Sequence, residues 1–352
     1  MKKALIIFVC LFICGCQSTQ KTSQESYVLL GNYAVSDKGV YSFDRNKMLV
    51  DYYDIETNKE IPLCNKTVCN HDNDDCIAYS LSHYKNGTVL GSQPMYYDNS
   101  LYLFYEKYDS ENYLCKAKTD GSDRQQIAKI DNDIPWTIQN LLLYKDKAFF
   151  TADLIQEDDK SETGLRNELV SKSVDLNSGE LKDINIDKNL KNYYNLIGAY
   201  NGNIYFSNIN EDKSQNIYEY NIEKEKGNIL IENASNEILK SFVYNGHLYY
   251  LDLKNKGIYD YDIDSHKVTK LSDIKDIDNF DNIVYQNIGG SIIMLYETDN
   301  DKIIHLQYYD CIKQKYINTQ DNIVASFNEK YLVEEYNGKE KQFQLNEYGY
   351  KK

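Results

Sequence analysis

The sequence predicts an all-β fold: about seven small four-stranded units arranged as a single β-propeller. Three observations carry this. The 352-residue chain holds 34 Tyr but only 3 Pro and 1 Trp, and tyrosine favours strands because its broad ring fits a half-buried pleated surface while its hydroxyl stays wet. A turn of Asn, Asp or Gly followed by an apolar-aromatic pair recurs along the chain. A second strand then ends in Tyr-Asp-Ile or a close variant, at intervals suited to a four-stranded unit. A unit of that size cannot bury its own apolar face, so it stacks on its neighbours around an axis.

The composition, 42% hydrophobic and 26% charged, is that of a globular chain. The formal net charge of -15 argues against a nucleic-acid partner, which calls for a basic face to neutralise phosphate.

Met1-Lys2-Lys3 precedes an apolar run, Ala4 to Ile13, then Cys14-Gly15-Cys16. The run is too short to span a bilayer comfortably and has the layout of an export signal. The stretch Ile13-Cys14-Gly15-Cys16 resembles a bacterial lipoprotein box. The resemblance implies cleavage before Cys16 and lipid on that cysteine; Cys14 departs from the smaller residue usual at its position. Cleavage would remove Lys2 and Lys3 and move the charge from -15 to -17. Residues 17–26 are polar without apolar periodicity and are expected to form a flexible tether. The expected organisation is a signal peptide at 1–15, a lipidated tether at 16–26 and a propeller at 27–352. The propeller would be a monomer held on the extracytoplasmic face of a membrane.

Within the propeller, first strands are read at Val40-Tyr41, Leu101-Tyr102, Ala148-Phe149, Ile204-Tyr205, Leu248-Tyr249, Ile292-Ile293 and Tyr331-Leu332. Turns such as Asn201-Gly202-Asn203 and Asn245-Gly246 precede them, and Asn and Gly accept the positive φ of tight hairpins. Second strands end at Tyr53-Asp54-Ile55, Lys118-Thr119-Asp120, Val174-Asp175-Leu176, Tyr220-Asn221-Ile222, Tyr261-Asp262-Ile263 and Tyr309-Asp310-Cys311. The clearest unit is Ser241 to Leu271, with four short strands. Seven units are counted; six or eight stay open because the first and last are incomplete. Tyr27 to Leu30 reads as a strand without a hairpin of its own, expected to join the C-terminal unit (Tyr331 to Glu335, Phe343 to Leu345) and so close the ring. These units resemble the propeller-type lipoproteins of low-G+C Gram-positive gut bacteria and, more distantly, TolB-like and YWTD-like propellers. The resemblance covers roughly residues 27–350 and implies fold more than function.

One constellation carries chemistry. Within the insert at 63–79, Cys64, Cys69, His71 and Cys76 follow the spacing C-x4-C-x-H-x4-C. Three thiolates and an imidazole are the ligand set of a structural zinc site, and the His71-to-Cys76 half matches a zinc knuckle. An exported chain also tends to pair its cysteines, with Cys115 or Cys311 as a partner for the third. Metal and disulfide both stay open at this point. Asp72 to Asp75, and Asp276, Asp278 and Asp281, are read as solvated acidic turns rather than Ca²⁺ loops.

No nucleophile elbow, phosphate loop, His-Glu-x-x-His or dinucleotide fingerprint is present in the sequence. His83, His247, His266 and His305 are scattered and read as surface or packing residues, and Trp136 as a strand residue. The expected function is a non-enzymatic binding or scaffold module for a protein, peptide or glycan. Two alternatives are a glycan hydrolase or lyase with its site at the channel mouth, which a plugged channel would count against, and a metal-binding or sensing lipoprotein.

Overall fold

The computed structural model describes residues 27–29, 31–44, 46–72, 76, 78–79, 93–107, 111–130, 136–157, 165–185, 194–209, 215–234, 238–252, 255–275, 283–287, 289–299, 302–317, 319, 322–327, 330–337 and 340–347. All described regular structure is strand, arranged in seven antiparallel sheets. A first strand, β1 (Tyr27–Leu29), precedes blade one, formed by β2 (Tyr33–Val35), β3 (Gly39–Asp44), β4 (Leu49–Asp54) and β5 (Lys59–Pro62). Blade two is β6 (Pro94–Tyr97), β7 (Ser100–Lys107), β8 (Glu111–Ala117) and β9 (Gln125–Ile130). Blade three is β10 (Trp136–Tyr144), β11 (Lys147–Glu157), β12 (Leu165–Asp175) and β13 (Leu181–Asp183). Blade four is β14 (Tyr194–Tyr200), β15 (Asn203–Ile209), β16 (Gln215–Asn221) and β17 (Lys226–Ala234). Blade five is β18 (Ile238–Tyr244), β19 (His247–Asp252), β20 (Gly257–Asp262) and β21 (Lys267–Asp273). Blade six is β22 (Ile283–Asn287), β23 (Ile292–Asp299), β24 (Lys302–Asp310) and β25 (Lys315–Ile317). Blade seven has three described strands, β26 (Ile323–Phe327), β27 (Lys330–Asn337) and β28 (Glu340–Glu347).

The apolar-aromatic pairs acquire a physical meaning here. Neighbouring residues on a strand point to opposite faces, and each blade is sandwiched, so both faces are buried. Val40 packs between blades seven and one, while Tyr41 packs between one and two. Likewise Leu248 faces blade four and Tyr249 faces blade six. One apolar cluster fills each of the seven blade-to-blade junctions. The pairs lie on the second strand of each blade rather than the first, so the repeat read from the sequence is out of phase by one strand.

The recurrent Asp is a turn device. In five blades the residue ending the third strand, and in blade two Asp120 three residues past it, accepts a backbone N–H two or three positions on. Asp54 takes Thr57 at 2.7 Å, Asp120 takes Ser122 at 2.9 Å, Asp175 takes Ser178 at 2.8 Å, and Asn221, Asp262 and Asp310 act alike. These are Asx turns. The next residue donates its N–H back to the hairpin joining the first two strands: Ile55 to Lys38, Leu176 to Asp146, Ile222 to Gly202, Ile263 to Gly246 and Cys311 to Ser291, at 2.8–3.2 Å. Both turn types therefore lie on one face of the ring, the turn face. The connections between blades lie on the other, the loop face.

These hydrogen bonds set a pH dependence. The turn backbone N–H groups hold Asp54, Asp175 and Asp262 below the usual carboxylate range, and chiefly the Ser122 hydroxyl does so for Asp120. Asp175 falls to about 2. A depressed folded pKa contributes stability that is present above the unfolded value, about 4, and lost as pH falls through the folded value. The melting temperature should therefore drop as pH is lowered from about 4 towards 2. Asp175→Asn, which keeps an acceptor but cannot titrate, should flatten part of that slope.

The ring closes differently from the sequence expectation. β1 does not join the C-terminal blade; it adds to β10 of blade three, with Tyr27 opposite Tyr144 and Leu29 opposite Leu142. Blades seven and one instead meet through side chains. Leu332 and Phe343 pack with Val35, Val40 and Tyr53. The Tyr33 hydroxyl donates to Glu334 at 2.8 Å, and Lys341 lies 3.4 Å from Glu60. Among the described residues no strand is exchanged between these blades, and β28 interleaves the packed Phe343 and Leu345 with polar Gln342, Gln344 and Asn346, which discourages edge pairing.

β10 holds the innermost position in its blade, as β6 and β14 do in theirs. β1 pairs on its inner side and touches β6 and β14 as well. It therefore occupies the central channel.

Candidate metal centre

The insert after β5 is pinned at both ends to the start of β4. Leu63 donates to the Val50 carbonyl at 2.8 Å, Val50 donates to Ala78 at 2.8 Å, and Tyr79 bridges Leu49. Leu63, Cys76 and Ala78 are buried in the junction of blades one and two, with Leu49, Val50 and Leu101. A chain that leaves and returns at one point must fold back on itself, and this brings the four candidate ligands together. Their donor atoms all lie within 4.8 Å of one another, and His71 Nδ1 is 3.2 Å from Cys76 Sγ. His71 adopts a left-handed backbone, φ 57°.

Cys76 is fully buried, while Cys64, Cys69 and His71 are half-buried. Burial pushes the Cys76 thiol up to about 12. A backbone hydrogen bond from His71, foremost among its neighbours, draws the Cys69 thiol down. A buried thiolate needs a compensating cation, and a metal supplies one. Tetrahedral zinc, with Zn–S about 2.3 Å and Zn–N about 2.0 Å, sets its donors roughly 3.5–3.8 Å apart. The observed cluster is close to that arrangement, and this Cys3His group can bind a metal ion.

Cys64, Cys69 and Cys76 lie near enough to one another for either chemistry, and no disulfide joins the five described cysteines. Cys115 is buried beside Tyr113 in blade two, and Cys311 in the junction of blades five and six. Neither joins the cluster, and burial raises both thiols, which makes them inert.

The other sequence candidates are not brought together. His247 Nδ1 contacts Asp260 at 2.9 Å across blade five, and its ring stacks on Tyr249. His266 accepts or donates a 2.7 Å bond with the Tyr261 hydroxyl within one turn. His305 is exposed on β24 and Trp136 begins β10, opposite Leu154. His83, Asn73 to Asp75, and Asp276, Asp278 and Asp281 lie outside the described residues. The hydrogen bond to Asp260 raises the His247 pKa, so its contribution to stability is present below about 6.5 and lost as pH rises through the raised value. An NMR titration should find His247 above the ordinary imidazole value, and Asp260→Asn should bring it down.

An open cleft of about 430 Å³ lies between blades two and three on the turn face. Lys116 and Lys145 balance Asp98 and Asp146 along its walls, and it is remote from the cysteine cluster. Among the described residues no helix is long and apolar enough to cross a membrane.

No protein-family model matches the chain, and no curated protein does. Solved structures do. A puromycin hydrolase aligns with a TM-score of 0.55 at 6% identity, over 86% of this chain and 49% of its own. A puromycin-hydrolyzing peptidase of Mycobacterium tuberculosis aligns with a TM-score of 0.50 at 9% identity, over 87% of this chain and 49% of its own. The chain thus spans about half the length of these hydrolases. At such identity the likeness is one of fold alone, and the fold is a seven-bladed β-propeller.

Proposed function

We propose that this chain is a non-enzymatic binding or scaffold module. It is lipidated at Cys16, held on the extracytoplasmic face of a bacterial membrane like the Gram-positive propeller lipoproteins it resembles, and directed at a protein, peptide or glycan. The observation that carries the reading is β1 in the central channel. A propeller enzyme with its site at the channel mouth needs that space for substrate, and here Tyr27, Val28 and Leu29, each half-buried, occupy part of it against blades two, three and four. The half-buried tyrosines suit binding, because they offer amphipathic area at low entropic cost. The net charge opposes nucleic acid as the partner.

Zinc in the Cys64, Cys69, His71, Cys76 loop would be structural. Four protein ligands close a tetrahedral site, whereas catalysis requires an open position. The full burial of Cys76 supports the same reading over metal sensing, which calls for an exchangeable ion.

The test is a parallel assay of the purified chain for turnover and for equilibrium binding, on peptide and glycan panels. Binding without turnover is expected. Turnover that disappears on mutating loop-face carboxylates would overturn the reading in favour of an enzyme.

A further inference from the structure

The N-terminal strand gives the disc a direction. β1 runs antiparallel to β10, so Tyr27 lies opposite Tyr144, the last residue before the β10–β11 hairpin. The Tyr144 hydroxyl accepts the N–H of Gly202, in the corresponding hairpin of blade four. The Tyr27 hydroxyl donates to the carbonyl of Val243, just before the hairpin of blade five. Tyr27, the first described residue, therefore stands at the turn-face end of the channel. The insert bearing Cys64, Cys69, His71 and Cys76 lies on the opposite side, because Leu63 and Ala78 bond to Val50 at the other end of β4.

We infer that the turn face apposes the lipid surface and that the loop face, with its Cys3His centre, points away from it. The inference rests on lipid attachment at Cys16. The argument is one of reach. From Cys16 to Tyr27 the chain spans at most about 40 Å, at 3.3–3.6 Å per residue. Its root-mean-square span as a flexible coil is about 18 Å. To lay the loop face on the membrane, the chain would have to run from the channel axis past four strands and then down the rim. At about 4.8 Å between strands and about 3.3 Å per residue of a roughly six-residue strand, that path is about 40 Å. The segment would have to be fully stretched to cover it, and the relaxed one falls far short.

Charge does not compete with this constraint. The turn face mixes exposed Lys38, Lys224 and Lys313 with Asp37, Glu223 and Glu225, so it has no strong field for an anionic bilayer. The orientation should therefore persist at high salt, which screens surface charge.

The test is amine acylation footprinting of the full lipidated chain, on vesicles of phosphatidylcholine with a minor phosphatidylglycerol fraction and again in detergent. On vesicles, labelling of Lys38, Lys224 and Lys313 should be lost relative to detergent. Labelling of Lys47, Lys66 and Lys256, exposed on the loop face, should stay unchanged. Inserting about 30 Gly/Ser residues after Ser23, which raises the root-mean-square span to about 35 Å, should restore labelling of the turn-face lysines. Attachment with protection of the loop-face lysines, or with equal protection of both sets, overturns the orientation alone. Failure of the wild-type chain to attach, with the same result for Cys16→Ser, overturns the lipid anchor and the orientation with it.

Discussion

Protein purified under reducing conditions should carry one zinc per chain, and Cys69→Ser should lose it. Cys69 is half-buried, so the substitution removes a ligand without opening the core. Cys115→Ser, at a buried thiol remote from the cluster, should retain the metal and serves as control. The stability effect follows from linkage. An ion that binds only the folded state, at free zinc a thousandfold above its dissociation constant, contributes about 4 kcal/mol. A strong chelator should remove that contribution and lower the melting temperature, and added zinc should restore it. The loss should concentrate at the junction of blades one and two, where Leu63, Cys76 and Ala78 pack against Leu101 and Leu103. Hydrogen exchange should show those blades loosening first. Absence of zinc from reduced protein, together with a mass deficit of two hydrogens in oxidised protein, would identify a disulfide instead.

The fold was legible in the sequence because both faces of each blade are buried. The unit from Ser241 to Leu271 is found as β18 to β21. The Tyr-Asp steps are found at the ends of third strands, where Tyr53, Tyr220, Tyr261 and Tyr309 pack into the junction with the preceding blade. The phase was harder to read, because the innermost strands lack a repeated dipeptide and some are short, such as Tyr33–Val35. All four candidate ligands were legible from spacing, since thiols and imidazole within thirteen residues can converge whatever the loop's path. What local sequence could not carry was the destination of Tyr27 to Leu29. Its partners Leu142, Tyr144 and Val243 lie more than a hundred residues away, and an apolar tripeptide fits any open sheet edge. One local signal did exist. Gly198, in the middle of β14, interrupts a strand that otherwise reads Leu-Ile-Ala-Tyr, and a glycine inside a strand marks a bulge or a close approach.

That glycine and Tyr27 should prove energetically coupled. Gly198 has φ +146° and sits at a register shift in β14. A Cβ there would stand 2.8 Å from the Tyr27 hydroxyl, 2.8 Å from the Val243 Cβ and 2.9 Å from the Val243 carbonyl oxygen. Tyr27→Ala removes an aromatic packed against blades three and four, and truncations of this kind cost about 3–5 kcal/mol. Tyr27→Phe keeps the ring but deprives the Val243 carbonyl of its donor, at about 1–3 kcal/mol. Gly198→Ala combines an unfavourable φ, about 1–3 kcal/mol, with overpacking of similar size. In the double variant Tyr27→Ala/Gly198→Ala the hydroxyl is gone and one of the three close contacts is relieved. The summed cost should therefore exceed the measured one by roughly 0.5–3 kcal/mol, the range for residues in contact. Denaturant titrations of the four proteins measure this directly. If β1 lay outside the channel, Tyr27→Ala would behave as a surface change within about 0.5 kcal/mol, and the two substitutions would add. The same variants separate the plug from the anchor. Loss of β1 packing lengthens the free segment beyond Tyr27, so it should weaken the preference for turn-face contact without detaching the protein from the membrane.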